Sequence, residues 1–250
     1  DEKYRQALAI RGEDELAYYN LALSADAQNQ TDAAIAFFHK AMANCPSNSN
    51  IPNDLGLLYS NLGNTAEAVR WYEHALTVDP KNPTIYNNLG YEAYKNGQLD
   101  KAIVYYRQAL DIMPNFVLAL NNLGMTFAEQ DKIDEAIEQF EKALQIAPDD
   151  ANIHNNAGYQ YYRKGAYEKA LEHFNEAIRL VPQFPLAYNN LGLVMQALKK
   201  PEEAIAQFQK ALEIYPADKL AHYNIANVLV AEGRPQESLP EFEQAVKNAP

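Results

Sequence analysis

Basic residues are scarce in this chain. Its 250 residues hold 21 Lys and Arg against 33 Asp and Glu, a net charge of −12. No basic run is longer than Lys199-Lys200, so the cationic patch that releases phosphate counterions is lacking and a nucleic acid is not an expected partner. Cysteine is nearly absent: Cys45 stands alone, and no internal disulfide can form. That fits a reducing cytoplasm, where the chain is expected, although a periplasmic helical array would need no disulfide either. No run of about eighteen apolar residues occurs, so membrane insertion is not expected. The residues after Asp1 show no charged-then-apolar leader. Gly and Pro number only 10 and 13 while 48% of residues are apolar, which excludes collagen-like and disordered chains. The acidity reads as a solvated outer face.

What is abundant is periodicity. Prolines stand at 46, 80, 114, 148, 182, 216 and 250, always 34 apart. A period of that length marks an array of small repeats rather than one globular domain. In this register seven tandem units start at 15, 49, 83, 117, 151, 185 and 219 and run to 250. Residues 1–14 read as the second helix of a preceding partial repeat, with Tyr4, Ala7 and Leu8 in register and Gly12 where proline would be. The chain is therefore expected to be a segment of a longer protein. Leu239, Phe242 and Val246 would then form an apolar edge open to end-to-end self-association.

The third unit shows the logic. Tyr86, Leu89, Gly90 and Ala93 make one helical stripe, and Asn96-Gly97-Gln98 interrupts it. A second stripe follows in Ala102, Tyr106, Ala109 and Leu110, and Pro114 stops it. Each unit is thus two antiparallel helices joined by a tight turn. Gly56, Gly90, Gly124, Gly158 and Gly192 recur inside first helices, where Gly costs up to about 1 kcal/mol relative to Ala. Such repetition implies close approach to a bulky neighbour. The neighbours are expected to be Tyr72, Tyr106, Phe140, Phe174 and Phe208, as core aromatics rather than a cofactor box.

This pattern of Tyr86, Leu89, Gly90, Ala102, Tyr106, Ala109 and Pro114, repeated without insertion, resembles the tetratricopeptide repeat (TPR) family. The resemblance implies an all-α fold, a right-handed TPR superhelix (α-solenoid) of seven helix-turn-helix repeats. First helices would line a concave groove, and the role would be that of a scaffold binding a protein or peptide.

Catalytic signatures are missing. His39, His74, His154, His173 and His222 are scattered in sequence, with no pair at i, i+4, so no metal site is expected. His154 and His222 take the place of Tyr86 and Tyr188, which points into the core, and are read as packed, hydrogen-bonded histidines. No glycine-rich phosphate loop occurs, and pairs such as Glu202-Glu203 and Asp149-Asp150 open helices, where they suit the dipole. The chain is expected to be neither an enzyme nor a cofactor carrier.

The groove concentrates the functional signal. The sixth residue of each unit is Asn20, Asp54, Asn88, Asn122, Asn156, Asn190 and Asn224. The fifth is Asn53, Asn87, Asn121, Asn155 and Asn189, with Tyr19 and Tyr223 at the ends. Asn is a mediocre helix former, so its recurrence needs a reason. A carboxamide donates and accepts at once and can grip the backbone of an extended peptide without reading side chains. The sixth-place series resembles the asparagine ladder in the TPR superhelix of O-linked GlcNAc transferases, which implies peptide contacts for Asn20, Asn88, Asn122, Asn156, Asn190 and Asn224. Asp54 only accepts when ionised and departs from the pattern. Alternatively, Asn at this place stabilises neighbouring helices, and the fifth-place residues either touch ligand or bond between repeats. Tyr91, Tyr94, Tyr159 and Tyr162 are candidate anchors for apolar side chains, and Lys95 and Arg163 are the basic groove residues, set against Glu129. The lysine-rich carboxylate clamp of chaperone-binding TPR domains is not assembled, because its places hold Asn, Leu or Thr. Two further functional readings stand beside the scaffold: a substrate-recruiting arm of a glycosyltransferase whose catalytic domain lies outside the segment, and a self-stacking assembly module.

Overall fold

A computed structural model describes residues 15–247 of the chain. The expectations for residues 1–14 lie outside the described residues. All regular structure among the described residues is helical, in fourteen helices: α1 Glu15–Ala27, α2 Thr31–Asn44, α3 Asn50–Asn61, α4 Thr65–Val78, α5 Pro83–Lys95, α6 Leu99–Ile112, α7 Val117–Glu129, α8 Ile133–Ile146, α9 Ala151–Arg163, α10 Tyr167–Leu180, α11 Pro185–Ala197, α12 Pro201–Ile214, α13 Lys219–Ala231 and α14 Pro235–Lys247. They pair as α1 with α2, α3 with α4, and so on, which makes the fold an all-α solenoid of helix-turn-helix repeats. Two compact units divide the chain, Asp1–Ala119 and Leu120–Pro250.

Local chemistry starts and stops the helices. Asp150 caps α9 by accepting from the N–H groups of Asn152 and Ile153 at 2.9 and 3.1 Å, and Asp218 caps α13 in the same way. Asn82 caps α5, whose first residue, Pro83, has no N–H to leave unsatisfied. Between α5 and α6, Gly97 adopts φ of 70°, and its N–H returns to the Tyr94 carbonyl at 2.9 Å. The equivalent turns between α1 and α2, α7 and α8, and α11 and α12 hold Asn29, Asp131 and Lys199 at φ of 58°, 61° and 60°. These are left-handed positions without glycine.

The cores explain the small residues. In the first compact unit Phe38, Tyr72 and Tyr106 are fully buried, and in the second Phe140, Phe174 and Phe208 are. A methyl group on Gly90 would sit 2.6 Å from the Tyr106 ring, and one on Gly56 2.7 Å from Tyr72. Glycine is thus what lets the first helix rest on the second helix's aromatic ring. Within each unit second helices also pack on the next first helix, as where Phe38 shares a core with Ile51, Leu55 and Leu58. One detail departs from the sequence reading. Ile85, not Tyr86, fills the α5 core stripe with Leu89 and Ala93, while Tyr86 lies half-buried and donates its hydroxyl to the Pro80 carbonyl at 3.2 Å. A tyrosine at the rim keeps its polar tip satisfied outside the core.

Candidate partner-binding face

In the first compact unit the exposed side of α1, α3 and α5 carries Leu23, Leu57 and Tyr91 at the ninth place, 38%, 46% and 46% exposed. Asn88 donates its Nδ2 to Asn53 Oδ1 at 3.0 Å, one repeat back. Asp54 breaks the asparagine pattern yet keeps the contact with its polarity reversed: Tyr19 of the preceding repeat donates its hydroxyl to Asp54 Oδ2. Asn53 donates to the other oxygen at 3.1 Å. Burial, and then the bond to Asp54, push the Tyr19 phenol above its ordinary pKa. Asn20 donates to the Leu16 carbonyl of its own helix at 2.7 Å. Asn87 is buried, and Tyr94 is half-buried.

The second unit repeats the arrangement. Asn156 donates to Asn121 at 3.1 Å and Asn190 to Asn155 at 2.9 Å. Asn122, Asn155, Asn189 and Asn190 are all buried. For Asn53, Asn121 and Asn155, bonding between repeats is therefore the role the geometry assigns. Asn189 turns its Nδ2 to Asp218 at 2.7 Å, leaving its Oδ1 buried without a partner. Asn224, the sixth residue of the next repeat, is half-buried. Tyr159 is 39% exposed, and Tyr162 is half-buried between Tyr159 and Tyr167, with ring centroids 6.1 and 6.2 Å away.

Both basic residues reach back one repeat. Lys95 Nζ lies 3.4 Å from the Ser60 carbonyl and from Glu92 Oε1, with the Tyr91 ring beneath it. Arg163 donates to the Ala128 carbonyl and Gln160 and pairs with Asp131. These cations are engaged by their own protein, and α11 carries no formal charge at all. Apart from the exposed Glu129 on α7 and Lys219 at the start of α13, the exposed first-helix surface offers amides, aliphatic side chains and tyrosines rather than charge.

Sequence reasoning missed two clusters. Glu92 is 1% exposed and accepts from the Ser60 hydroxyl and, at 3.0 Å, from Thr65. Its signal was a carboxylate at a place that holds Ser24, Leu58, Thr126, Gln160, Val194 or Val228 elsewhere. The other cluster corrects the placement of His154 and His222 in the core, though not their hydrogen bonding. His154 and His222 sit half-buried at the rim, where each directs Nε2 to the carbonyl of Pro148 or Pro216, at 3.0 and 3.2 Å. His154 meets His173 through their Nδ1 atoms at 3.0 Å, whereas His222 Nδ1 meets Glu241 at 2.6 Å. Burial lowers the His173 pKa, with Glu141 acting in the opposite direction. Burial, and then its bond to Glu141, push the Tyr161 phenol up to about 12.

Among the described residues no group of three His, Cys, Asp or Glu side chains is placed to hold a metal ion. No described helix is long and apolar enough to cross a membrane. An array of helix pairs that leaves one face of its first helices open, lined by amides and aromatics, is a helical-repeat interaction scaffold.

The comparisons with known proteins name the repeat. Models described as "Tetratricopeptide repeat" match residues 16–48, 83–116, 185–218 and 220–250, and one described as "TPR repeat" matches 61–96, 124–165 and 158–199. The chain belongs to the tetratricopeptide repeat family. Among curated proteins no sequence matches it. Solved structures do. The MamA protein is 26% identical, over 66% of this chain and 91% of that one, with a TM-score of 0.58. PilW, a widely conserved type IV pilus biogenesis factor, is 25% identical over 78% and 91%, with a TM-score of 0.72. A tetratricopeptide repeat protein from Parabacteroides merdae, 19% identical over 96% and 94% with a TM-score of 0.75, shows the fold alone.

Proposed function

We propose that the exposed first-helix face binds an extended, largely uncharged segment of a partner protein by gripping its backbone with the sixth-place asparagines. The observation that carries this reading is the way those amides are held. Asn88 and Asn156, both half-buried, each spend one N–H on the preceding repeat, which fixes the carboxamide plane while its oxygen and second N–H stay uncommitted. An amide oriented before the ligand arrives binds without the usual ordering cost. Leu57, Tyr91 and Tyr159, exposed beside the ladder, supply apolar contact for side chains. The near absence of unengaged charge on the face argues for a neutral segment, since the acidic residues lie mainly on second helices and turns.

Peptides selected on the chain from a random displayed library provide the test. Replacing Asn122, Asn156 and Asn190 together by Ala should leave the helical circular dichroism intact. It should weaken binding by about tenfold or more, at about 0.5–1.5 kcal/mol for each lost bond. N-methylation of alternate peptide backbone positions should weaken binding in step. Selected peptides that bind the triple variant and their N-methylated forms unchanged overturn the backbone-grip reading.

A further inference from the structure

The two histidines that the fold brings together pose a problem of proton accounting. His154 lies on α9 and His173 on α10, 19 residues apart. The outer nitrogen of each ring faces an acceptor: His154 Nε2 is 3.0 Å from the Pro148 carbonyl oxygen, and His173 Nε2 is 3.3 Å from Glu141 Oε1 on α8. Neither oxygen can donate, so the His154 contact requires a proton on Nε2, and the longer His173 contact is an ion pair only when that ring is protonated. That His154 carries it there is supported by its equivalents, for His222 and Tyr86 make the same bond to the carbonyls of Pro216 and Pro80. With both outer nitrogens protonated, the neutral rings present bare lone pairs to each other at 3.0 Å. Moving the His173 proton inward relieves that clash only by setting a bare Nε2 against a carboxylate. One cation between the Nδ1 atoms, either a second proton on the pair or a metal ion, satisfies both rings at once.

We infer that His154 and His173 form a binding site for a divalent transition-metal ion, held through the two Nδ1 atoms. Three features support a metal there. A histidine ligand normally donates its other nitrogen to a carboxylate or backbone carbonyl that fixes the ring. Both partners are already in place, and Tyr161 braces one of them by donating to Glu141 Oε1 at 2.8 Å while its ring stacks on His173 at 5.3 Å. The spacing indicates the geometry. At a metal–nitrogen bond of about 2.0–2.1 Å, ligands 3.0 Å apart subtend roughly 91–97° at the metal. Adjacent ligands of a square-planar or octahedral ion meet that angle, and tetrahedral zinc does not, so Cu²⁺ or Ni²⁺ fits best. The field is favourable too. Glu141, Glu172 and Glu176 act on the pair, and the nearby cations are Arg179, which pairs with Glu176, and Lys169, over the Tyr161 ring at 5.0 Å. With two protein ligands, water completes the coordination, and the ion is open to exchange.

The experiment is titration of the EDTA-treated chain with CuCl2, NiCl2 and ZnCl2, followed by thermal unfolding and, for copper, electron paramagnetic resonance. One Cu²⁺ per chain should raise the melting temperature and give an axial spectrum with hyperfine structure from two nitrogens; Ni²⁺ should also stabilise, and Zn²⁺ should bind at least tenfold more weakly than Cu²⁺. His154→Tyr restores the residue type of the third and sixth repeats and so keeps the bond to proline. It should abolish the two-nitrogen signal and weaken copper at least tenfold with the fold intact, as should His173→Gln. His222→Gln should change neither. Copper that fails to bind stoichiometrically, that binds as tightly after His154→Tyr, or that is lost after His222→Gln overturns the assignment. So does a nuclear magnetic resonance titration showing a proton shared between the Nδ1 atoms that copper does not displace.

Discussion

The Asn155–Asn190 bond is the sharpest place to test whether asparagines couple successive repeats. The donor and acceptor are 2.9 Å apart, and the residues are 3% and 7% exposed, so water cannot replace a lost partner. Asn155→Ala strands the Asn190 N–H, at a cost of about 1–3 kcal/mol for a buried unsatisfied group. The helix-propensity gain of Ala over Asn, up to about 0.7 kcal/mol, offsets part of this. The single variant should therefore lose about 0.5–2.5 kcal/mol. A double-mutant cycle with Asn190→Ala cancels the propensity terms and should leave a coupling of about 1–2 kcal/mol, because residues sharing a bond are not additive. The half-buried Asn53–Asn88 pair, at 3.0 Å, serves as control and should couple by about 0.5 kcal/mol. Urea unfolding followed by circular dichroism reads both cycles, with midpoint and slope fitted together because repeat arrays depart from two-state behaviour. Additive single effects at Asn155 and Asn190, or stronger coupling at the half-buried pair, would refute the argument.

Three other outcomes follow from the packing. Gly90→Ala drives a methyl group to 2.6 Å from the Tyr106 ring, so overpacking of about 1–3 kcal/mol outweighs a propensity gain of about 1 kcal/mol; a higher melting temperature would contradict the close-approach account. Lys199→Gly removes a side chain from a left-handed position at φ of 60° and should stabilise by about 0.5–1 kcal/mol, visible as a rise in the urea midpoint. Glu92→Ala strands the Ser60 and Thr65 hydroxyls and should cost about 1–3 kcal/mol, whereas Glu92→Gln keeps an acceptor and should cost less; equal losses would mean that the buried carboxylate is not what those hydroxyls need.

Much of this molecule was legible without coordinates. The 34-residue spacing of prolines, the turn glycines such as Gly97 and the alternation of Gly90 with Tyr106 are local signals that recur in register. Helical periodicity converts them directly into faces and stops. The recurrence of the asparagines at one place per repeat came from counting along one helix. The partners of those asparagines did not. Asn156 and Asn121, like Asn190 and Asn155, lie 35 residues apart, and only packed first helices reveal that one carboxamide orients the next.

The sequence by itself determined the family, the helix pairs and the places where small residues must admit aromatic rings, because these follow from spacing within one repeat. The tertiary structure alone decided which asparagines are buried rungs between repeats, that Glu92 sits inside among Ser60 and Thr65, and that His154 faces His173. The reason is physical: period tells which way a side chain points, but not which atom of another helix it meets or how closely.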